Sequence, residues 1–193
     1  MWGRTITALT CASVFSAASV ASAAELRFRE TAAGNVTATG NTLGLSKALD
    51  LNGPGTEDSI GTFLTLDDAL VDDFPASPVN PWGAGTTFDW TLNSSEAELV
   101  LPGDNTTVLY AELIWGGSSF YGSEDVRGDL DTAVTLSFGD DEILVDPDDA
   151  TALTIEETSA SGFAANFYMR SADVTDFVAE HGAGFYAAHG VPA

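Results

Sequence analysis

Turn-forming residues divide this sequence at short and regular intervals. Gly, Pro, Asn and Asp recur at spacings of roughly 8–12 residues, and the runs between them are rich in Thr, Val, Phe, Leu and Tyr. This spacing is typical of all-β sandwiches and barrels, because each run has the length of one strand and each break supplies a turn. Residues 97–101 and 153–156 also alternate between apolar and polar side chains, as half-buried antiparallel strands require. The sequence therefore predicts an all-β fold, an antiparallel β-sandwich of jelly-roll type.

Strand propensity and alternation predict where the strands lie. The predicted strands are residues 26–30, 36–39, 62–66, 87–92, 97–101, 107–115, 133–138, 142–145, 152–158 and 163–170. One segment near the C-terminus, residues 171–182, departs from this pattern. Its apolar residues Val174, Phe177 and Val178 fall on one helical face, and Gly182 can end a helix. We therefore expect one short α-helix that covers an end or an edge of a sheet.

The first 23 residues have the character of an export signal. Arg4 precedes an apolar run rich in Ala, Ser and Thr, which ends in the small residues at positions 21–23. This pattern predicts a secretory signal peptide cleaved after Ala23 or Ala24. A membrane anchor would need about 20 strongly apolar residues, and the run before Cys11 is too short for a lipidation signal. We therefore expect residues 1–23 to be a signal peptide and residues 24–193 to be one domain. The mature chain would be secreted or held at the cell surface, without membrane insertion.

Charge and cysteine content exclude several classes of function. The chain has 29 acidic and 6 basic residues, a formal net charge of -23. Such a surface repels phosphate backbones and anionic lipid headgroups, which excludes nucleic acid and membrane surfaces as partners. Cleavage of the signal peptide removes Cys11, the only cysteine, so disulfides, thiol catalysis and thiolate metal sites are excluded as well. The domain must be stabilised by its core, or by its core and bound metal ions.

Carboxylates cluster in the predicted turns around residues 140–149. Hard oxygen ligands in loops suit Ca²⁺, which accepts 6 to 8 of them with loose geometry. The twelve-residue helix-loop-helix calcium pattern does not occur in the sequence. The candidate ligands of one structural calcium ion are Asp140, Asp141, Asp146, Asp148 and Asp149. The alternative is that these are solvated charges which keep an exported protein soluble.

Aromatic residues are candidates for ligand binding. Trp82 lies in a long loop, residues 66–85, that is rich in Asp and Pro, and Tyr121 follows a glycine pair at a predicted loop tip. Exposed aromatic rings in such loops form platforms for carbohydrate. Trp90 and Trp115 lie within strand patterns, and we expect both to pack in the core.

The sequence predicts no catalytic residues. His181 and His189 are the only histidines, too few for a catalytic zinc site. The G-x-S-x-G pattern of serine hydrolases does not occur, and the stretch nearest to it is residues 116–119, G-G-S-S. A glycosidase needs only two carboxylates, but no pair stands out among the 29 acids.

The C-terminus follows closely on a further predicted strand. Residues 184–188 begin this strand just after the predicted helix. A domain rarely stops at such a point, because the last sheet edge would be left open. We therefore expect an open edge near residues 185–188, a domain that is incomplete at its C-terminus, and strand exchange with another chain at that edge.

Four stretches together resemble a known family. They are residues 40–45, G-N-T-L-G-L, residues 108–117, V-L-Y-A-E-L-I-W-G-G, residues 172–178, A-D-V-T-D-F-V, and residues 182–186, G-A-G-F-Y. This pattern resembles the N-terminal β-sandwich region of large, adhesin-like exported proteins of bacterial surfaces, and the likeness covers most of residues 35–190. Members of that family usually continue well beyond the position at which this chain ends.

The resemblance implies a cell-surface or extracellular domain of structural or adhesive type without catalytic activity. Its partners would be surface glycans or other surface proteins. Two alternatives stay open from the residues themselves. One is a calcium-assisted carbohydrate-binding module that uses Trp82 and Tyr121, and the other is a secreted hydrolase that uses a carboxylate pair.

Overall fold

The computed structural model describes six stretches of the chain. They are residues 26–46, 60–71, 85–103, 106–121, 124–158 and 164–193. The predicted signal peptide lies outside them, as does Trp82. The all-β prediction is confirmed, since the described residues form three antiparallel sheets and one short helix near the C-terminus. The elements in chain order are β1 Gly44–Ser46, β2 Ile60–Leu64, β3 Thr86–Thr87, β4 Ser94–Leu99, β5 Glu112–Tyr121, β6 Glu124–Asp125, β7 Val134–Phe138, β8 Asp141–Val145, β9 Leu153–Thr158, β10 Ala164–Asp173, α1 Thr175–His181 and β11 Gly184–His189.

Two four-stranded sheets form the sandwich. The first has the strand order β6-β5-β10-β9 and the second has the order β4-β11-β7-β8. In the first, β5 and β10 are the longest strands, and a bulge between Asn166 and Phe167 leaves Ser119 without a direct cross-strand partner. A third, smaller sheet has the strand order β1-β2-β3. β5 and β10 are far apart in the sequence, as are β4 and β11, so long-range pairing holds each large sheet together.

The core lies between the two large sheets. Trp115 and Tyr168 enter it from β5 and β10, whereas Val134 and Leu136 enter it from β7. These positions follow the two-residue period of a strand, which turns alternate side chains inward. Burial of each large apolar side chain contributes roughly 1.5–3 kcal/mol. The expectation that Trp115 packs in the core is confirmed, since only 6% of its surface is exposed.

The helix covers one end of the core with a single apolar face. In α1, Phe177 and Val178 are buried, and Gly182 ends the helix with φ of 73°. The helix begins at Thr175, within the predicted segment 171–182, because β10 continues through Asp173 and pairs with the first residues of β5. The carboxylate of Asp173 then accepts a hydrogen bond from the backbone N–H of Thr175 at 2.8 Å.

The last strand does not form an open edge. β11 lies inside its sheet, with β4 on one side and β7 on the other, so the expected open edge near residues 185–188 is wrong. The chain after it is also fixed. The amide of Asn93 donates to the carbonyl of Val191 at 2.7 Å and accepts from the N–H of the same residue at 2.9 Å. Strand exchange at β11 is therefore contradicted, because β4 pairs with its whole length and β7 pairs with residues 187–189 on the other side.

Three other predicted strands also differ from the structure. Residues 26–30 and 36–39 are described without strand pairing, and they are tied to the sandwich by side chains instead. Residues 87–92 form only the end of β3 and a 3₁₀ turn, Trp90–Leu92. That turn forms because the carboxylate of Asp89 accepts the N–H of Thr91 at 2.9 Å, which competes with strand pairing. Trp90 is only partly buried there.

Candidate functional site

The five predicted calcium ligands are divided between the two ends of β8. Asp140 and Asp141 lie where the β7–β8 turn meets β8, whereas Asp146, Asp148 and Asp149 follow its other end. The strand between them spans roughly 13 Å, whereas calcium binds oxygen at about 2.3–2.6 Å. In the stretches that the structure describes, no three His, Cys, Asp or Glu side chains lie close enough to hold a metal ion. The five aspartates therefore do not converge on one ion.

Of the two aromatic residues predicted to bind carbohydrate, Trp82 and Tyr121, only the backbone of Tyr121 belongs to the described part of the chain. Trp82 lies outside it. Tyr121 is the last residue of β5, where its backbone pairs with Glu124 and Ala165, and its side chain is not described. A carbohydrate platform built from these two rings stays a prediction.

A cleft of about 1280 Å³ lies between the two large sheets, and we call it the side cleft. Residues 110–120, which include most of β5, border it along one stretch, and residues 36–44 border it along another. Side chains from both sheets form its apolar wall. These include Ala97, Leu99, Leu113, Trp115, Val134, Leu136 and Tyr168.

The side cleft exists because neither neighbouring sheet edge is closed there. β6 pairs with β5 only at Phe120 and Tyr121, so none of the described strands covers the edge of β5 from Glu112 to Ser118. β4 is the edge of the opposite sheet. Residues 36–44 follow β4 without forming a ladder, and in them Asn41 donates to the carbonyl of Glu96 at 3.2 Å. No strand in the described part of the chain therefore joins the two sheets on this side.

Two polar atoms in the wall of the side cleft are buried without a partner. Trp115 is 6% exposed and Ser119 is 1% exposed. Within the described part of the chain, neither the indole Nε1 of Trp115 nor the Oγ of Ser119 makes a hydrogen bond. A buried polar group left unpaired costs about 1–3 kcal/mol. Both atoms are enclosed by neighbouring protein atoms and do not face the open part of the cleft. The sequence predicts that Trp115 packs in the core, and Ser119 falls in the G-G-S-S stretch, where no pattern marks it as buried.

One end of the side cleft is fixed by a polar cluster around Glu112. Its carboxylate accepts hydrogen bonds from Ser171 Oγ at 2.6 Å, Tyr110 Oη at 2.9 Å and Arg27 Nε at 3.2 Å. Arg27 also forms an ion pair with Asp148. Burial, followed by the hydrogen bond to Glu112, raises the pKa of Tyr110. The cluster attaches residues near the N-terminus to the start of β5, so Glu112 has a structural role.

Asp125 and Asp148 have lowered pKa values, and nearby hydrogen-bond partners explain both shifts. Arg127 lowers the pKa of Asp125 to about 2. The backbone N–H of Ala150, followed by Arg27, lowers the pKa of Asp148. Each of these carboxylates has a nearby cation or a backbone N–H that accounts for the shift, so neither shift indicates a catalytic acid.

One serine–histidine pair has the contact that nucleophilic catalysis uses. Ser137 Oγ on β7 lies 2.9 Å from Nε2 of His189 on β11. Burial lowers the pKa of His189, and the nearby charge of Glu142 opposes this shift. A catalytic base also needs a third group that orients it. Among the described residues, no carboxylate hydrogen-bonds to Nδ1 of His189, so the pair acts as a cross-strand contact.

Comparison with known proteins finds no matching family model, no matching curated protein and no matching solved structure. In the described residues, no helix is both long enough and apolar enough to cross a membrane. What the chain binds is therefore inferred from the side cleft and the charges around it.

Proposed function

We propose that this chain is an exported domain of the adhesive or structural type, which binds an apolar ligand in the side cleft and has no catalytic activity. The observation that carries the proposal is an apolar cleft of about 1280 Å³ that is bordered by side chains of both large sheets. A large apolar cleft with a few inward polar groups is the usual form of a binding site. The export signal predicted in residues 1–23 supports a role outside the cell.

The apolar wall of the side cleft favours binding. Its exposed apolar side chains are removed from water when a ligand enters, which contributes about 25 cal/mol per Å² of buried area. This contribution is gained only when the cleft is occupied.

The charge of the chain restricts the ligand. The net charge is -23, and three of the four arginines in the described residues take part in ion pairs with carboxylates. The field around the side cleft is therefore negative, which repels anionic ligands and attracts cationic ones. A neutral or cationic ligand with an apolar body fits these conditions.

The test uses the mature chain, residues 24–193, and the neutral apolar dye Nile red. Ala97 faces the side cleft from β4, and Ala97→Phe would fill part of it. Ala179 is exposed on α1, so Ala179→Phe is a matched control. We expect Ala97→Phe to weaken dye binding about tenfold or more, and we expect the control to leave it unchanged.

The proposal would be contradicted by equal dye binding in the Ala97→Phe variant, the Ala179→Phe variant and the unmodified chain. A third variant, Ile155→Thr, tests whether the dye binds the exposed apolar surface of β9 instead, where Ile155 is 44% exposed. A loss of dye binding in that variant alone would place the apolar site outside the side cleft.

A further inference from the structure

We infer that the side cleft takes an extended peptide strand from another protein, which pairs with the free edge of β5. This inference rests on the proposed function and names the partner of the same site. None of the described strands pairs with the edge of β5 from Glu112 to Ser118, which we call its free edge, because β10 occupies the opposite edge and β6 pairs only at Phe120 and Tyr121.

The free edge supplies the backbone groups that an added strand requires. A strand edge presents a row of N–H and C=O groups that can pair with another chain, and peptide recognition often uses such an edge. The cleft borders this edge directly, since every residue from 110 to 120 lines it. A strand added to β5 would therefore lie along the opening of the cleft.

The size of the cleft favours an extended chain over a small molecule. Its volume of about 1280 Å³ exceeds the range of about 300–1,000 Å³ that small-molecule pockets usually have. Along an added strand, every second side chain would point into the cleft, because the side-chain period of a strand is two. The cleft wall then requires apolar side chains at these inward positions.

The charge of the chain favours a basic partner over a second copy. Glu96 is exposed and lies beside the cleft on β4, and the whole chain carries a net charge of -23. Two copies would repel each other, whereas Lys or Arg beside the apolar positions of a partner would be attracted. The occupant is therefore an extended segment of another protein with alternating apolar residues and basic ends.

The test measures binding of synthetic peptides to the mature chain by isothermal titration calorimetry. The probe is a nine-residue peptide of alternating Val and Thr with a Lys at each end. A second peptide carries N-methyl groups on its odd-numbered backbone amides, and a third carries them on its even-numbered ones. A fourth peptide has Glu in place of both terminal Lys residues. We expect the probe to bind, one N-methylated version to lose binding because its edge-facing N–H groups are blocked, and the Glu version to bind about tenfold more weakly or less.

Two matched variants test the position of the peptide. Glu96→Lys reverses a charge beside the cleft, and Glu157→Lys reverses an exposed charge on β9, which does not line it. We expect the first to weaken binding of the Lys-ended peptide and the second to have little effect. Equal effects of the two variants, or equal binding of both N-methylated peptides, would overturn the inference.

The remaining outcomes separate this inference from the proposed function. If no peptide binds, but Nile red still binds and its binding is weakened by the Ala97→Phe substitution, strand addition is wrong and apolar binding in the cleft stands. If neither the peptide nor the dye binds, both are wrong. If the chain itself dimerises in sedimentation and Glu96→Lys strengthens the dimer, a second copy is the occupant and the inference is overturned.

Discussion

Ser119 and Ser171 are buried serines on neighbouring strands with opposite hydrogen-bonding states. Ser119 Oγ has no partner among the described residues, whereas Ser171 Oγ donates to the carboxylate of Glu112 at 2.6 Å. We expect Ser119→Ala to leave the free energy of unfolding unchanged or to raise it by up to about 1 kcal/mol, since it removes an unpaired polar atom. We expect Ser171→Ala to lower it by about 1.5–3 kcal/mol, because it leaves a charged acceptor with one donor fewer. Urea unfolding of both variants measures the two changes.

This comparison is sensitive because the two substitutions are chemically identical. A loss of more than about 1.5 kcal/mol in Ser119→Ala would show that the Ser119 hydroxyl is already paired in the free protein. The wall of the side cleft would then lack one of its two unpaired atoms.

His181 couples the helix to the β7–β8 turn in a pH-dependent way. Its Nδ1 lies 2.9 Å from the carbonyl oxygen of Phe177, and its Nε2 lies 3.2 Å from a carboxylate oxygen of Asp141. Both contacts need an N–H, so they favour the protonated ring, and they raise its pKa above the usual 6.5, the Phe177 contact most. A raised histidine pKa adds stability that is complete below about pH 6.5 and is lost as the pH rises through the folded-state pKa.

The expected result is a pH-dependent effect of His181→Gln on stability. The variant should unfold more easily than the unmodified chain at about pH 5.5, and the difference should shrink towards about pH 8.5. Urea unfolding at several pH values measures it. His189→Gln is the control, because burial lowers the pKa of His189 and its protonation opposes folding below about pH 6.5. A difference for His181→Gln that stays constant with pH would mean that its charged form is not favoured in the folded state.

At the scale of elements, the end of β11 depends on Asn93. Its side chain bonds to both the N–H and the C=O of Val191, and its own carbonyl accepts the N–H of Gly190 at 3.0 Å. Asn93 is only 1% exposed. We expect Asn93→Ala to lower the free energy of unfolding by about 2–4 kcal/mol, because two buried backbone groups lose their partners.

Thermal or urea unfolding measures this change, with Asn41→Ala as the control. Asn41 is an exposed residue whose amide also donates to a backbone carbonyl, that of Glu96. We expect Asn41→Ala to lower the free energy of unfolding by less than about 1 kcal/mol, since water can replace the lost hydrogen bond. Equal costs for the two variants would show that the segment after β11 is not held by Asn93.

The segment near the N-terminus is another element fixed by side chains. Arg27 is paired with Glu112 and Asp148, and the ring of Phe28 stacks on Tyr110 with their centroids 5.0 Å apart. We expect Arg27→Gln to raise amide hydrogen exchange in residues 26–30, because an ion pair and a charge-assisted hydrogen bond are lost. Exchange in α1 should stay unchanged and serves as the internal control. Unchanged exchange in residues 26–30 would mean that this ion pair does not attach the segment.

The elements differ in how far the sequence predicts them. β7, β8 and β9 are predicted to within a residue or two, because alternation and turn residues mark them locally. The segment at residues 87–92 is mispredicted, because Asp89 bonds its own backbone neighbour and starts a turn. The central position of β11 depends on pairing with β4, which is far away in the chain, and no local pattern contains that information.

At the scale of the molecule, the acidic surface raises the question of metal binding. The five candidate aspartates are separated by β8, and Asp148 is already paired with Arg27. We therefore expect the unfolding temperature of the mature chain to differ by less than about 2 °C between EDTA and millimolar Ca²⁺. Thermal unfolding followed by circular dichroism measures it. A rise of many degrees with Ca²⁺, but not with Mg²⁺, would show a specific calcium site and contradict this expectation.

The side cleft could not be predicted from the sequence, although many of its residues could. Alternation predicts that Trp115 faces the core, which it does. The cleft arises because no described strand pairs with the edge of β5 from Glu112 to Ser118, and an absent pairing leaves no local pattern. The lack of a partner for the indole N–H likewise depends on atoms from distant strands, so only the folded arrangement shows it.

The most direct test of ligand binding in the side cleft follows the indole N–H resonance of Trp115 in a ¹H–¹⁵N spectrum during titration with Nile red. The resonance can be assigned by its loss in Trp115→Phe, and Trp115 lines the side cleft. We expect the Trp115 resonance to shift with the same dissociation constant as the dye fluorescence, while that of Trp90, which does not line the side cleft, stays in place. Dye binding that leaves the Trp115 resonance unmoved would contradict ligand binding in the side cleft, because the dye would then lie elsewhere on the protein.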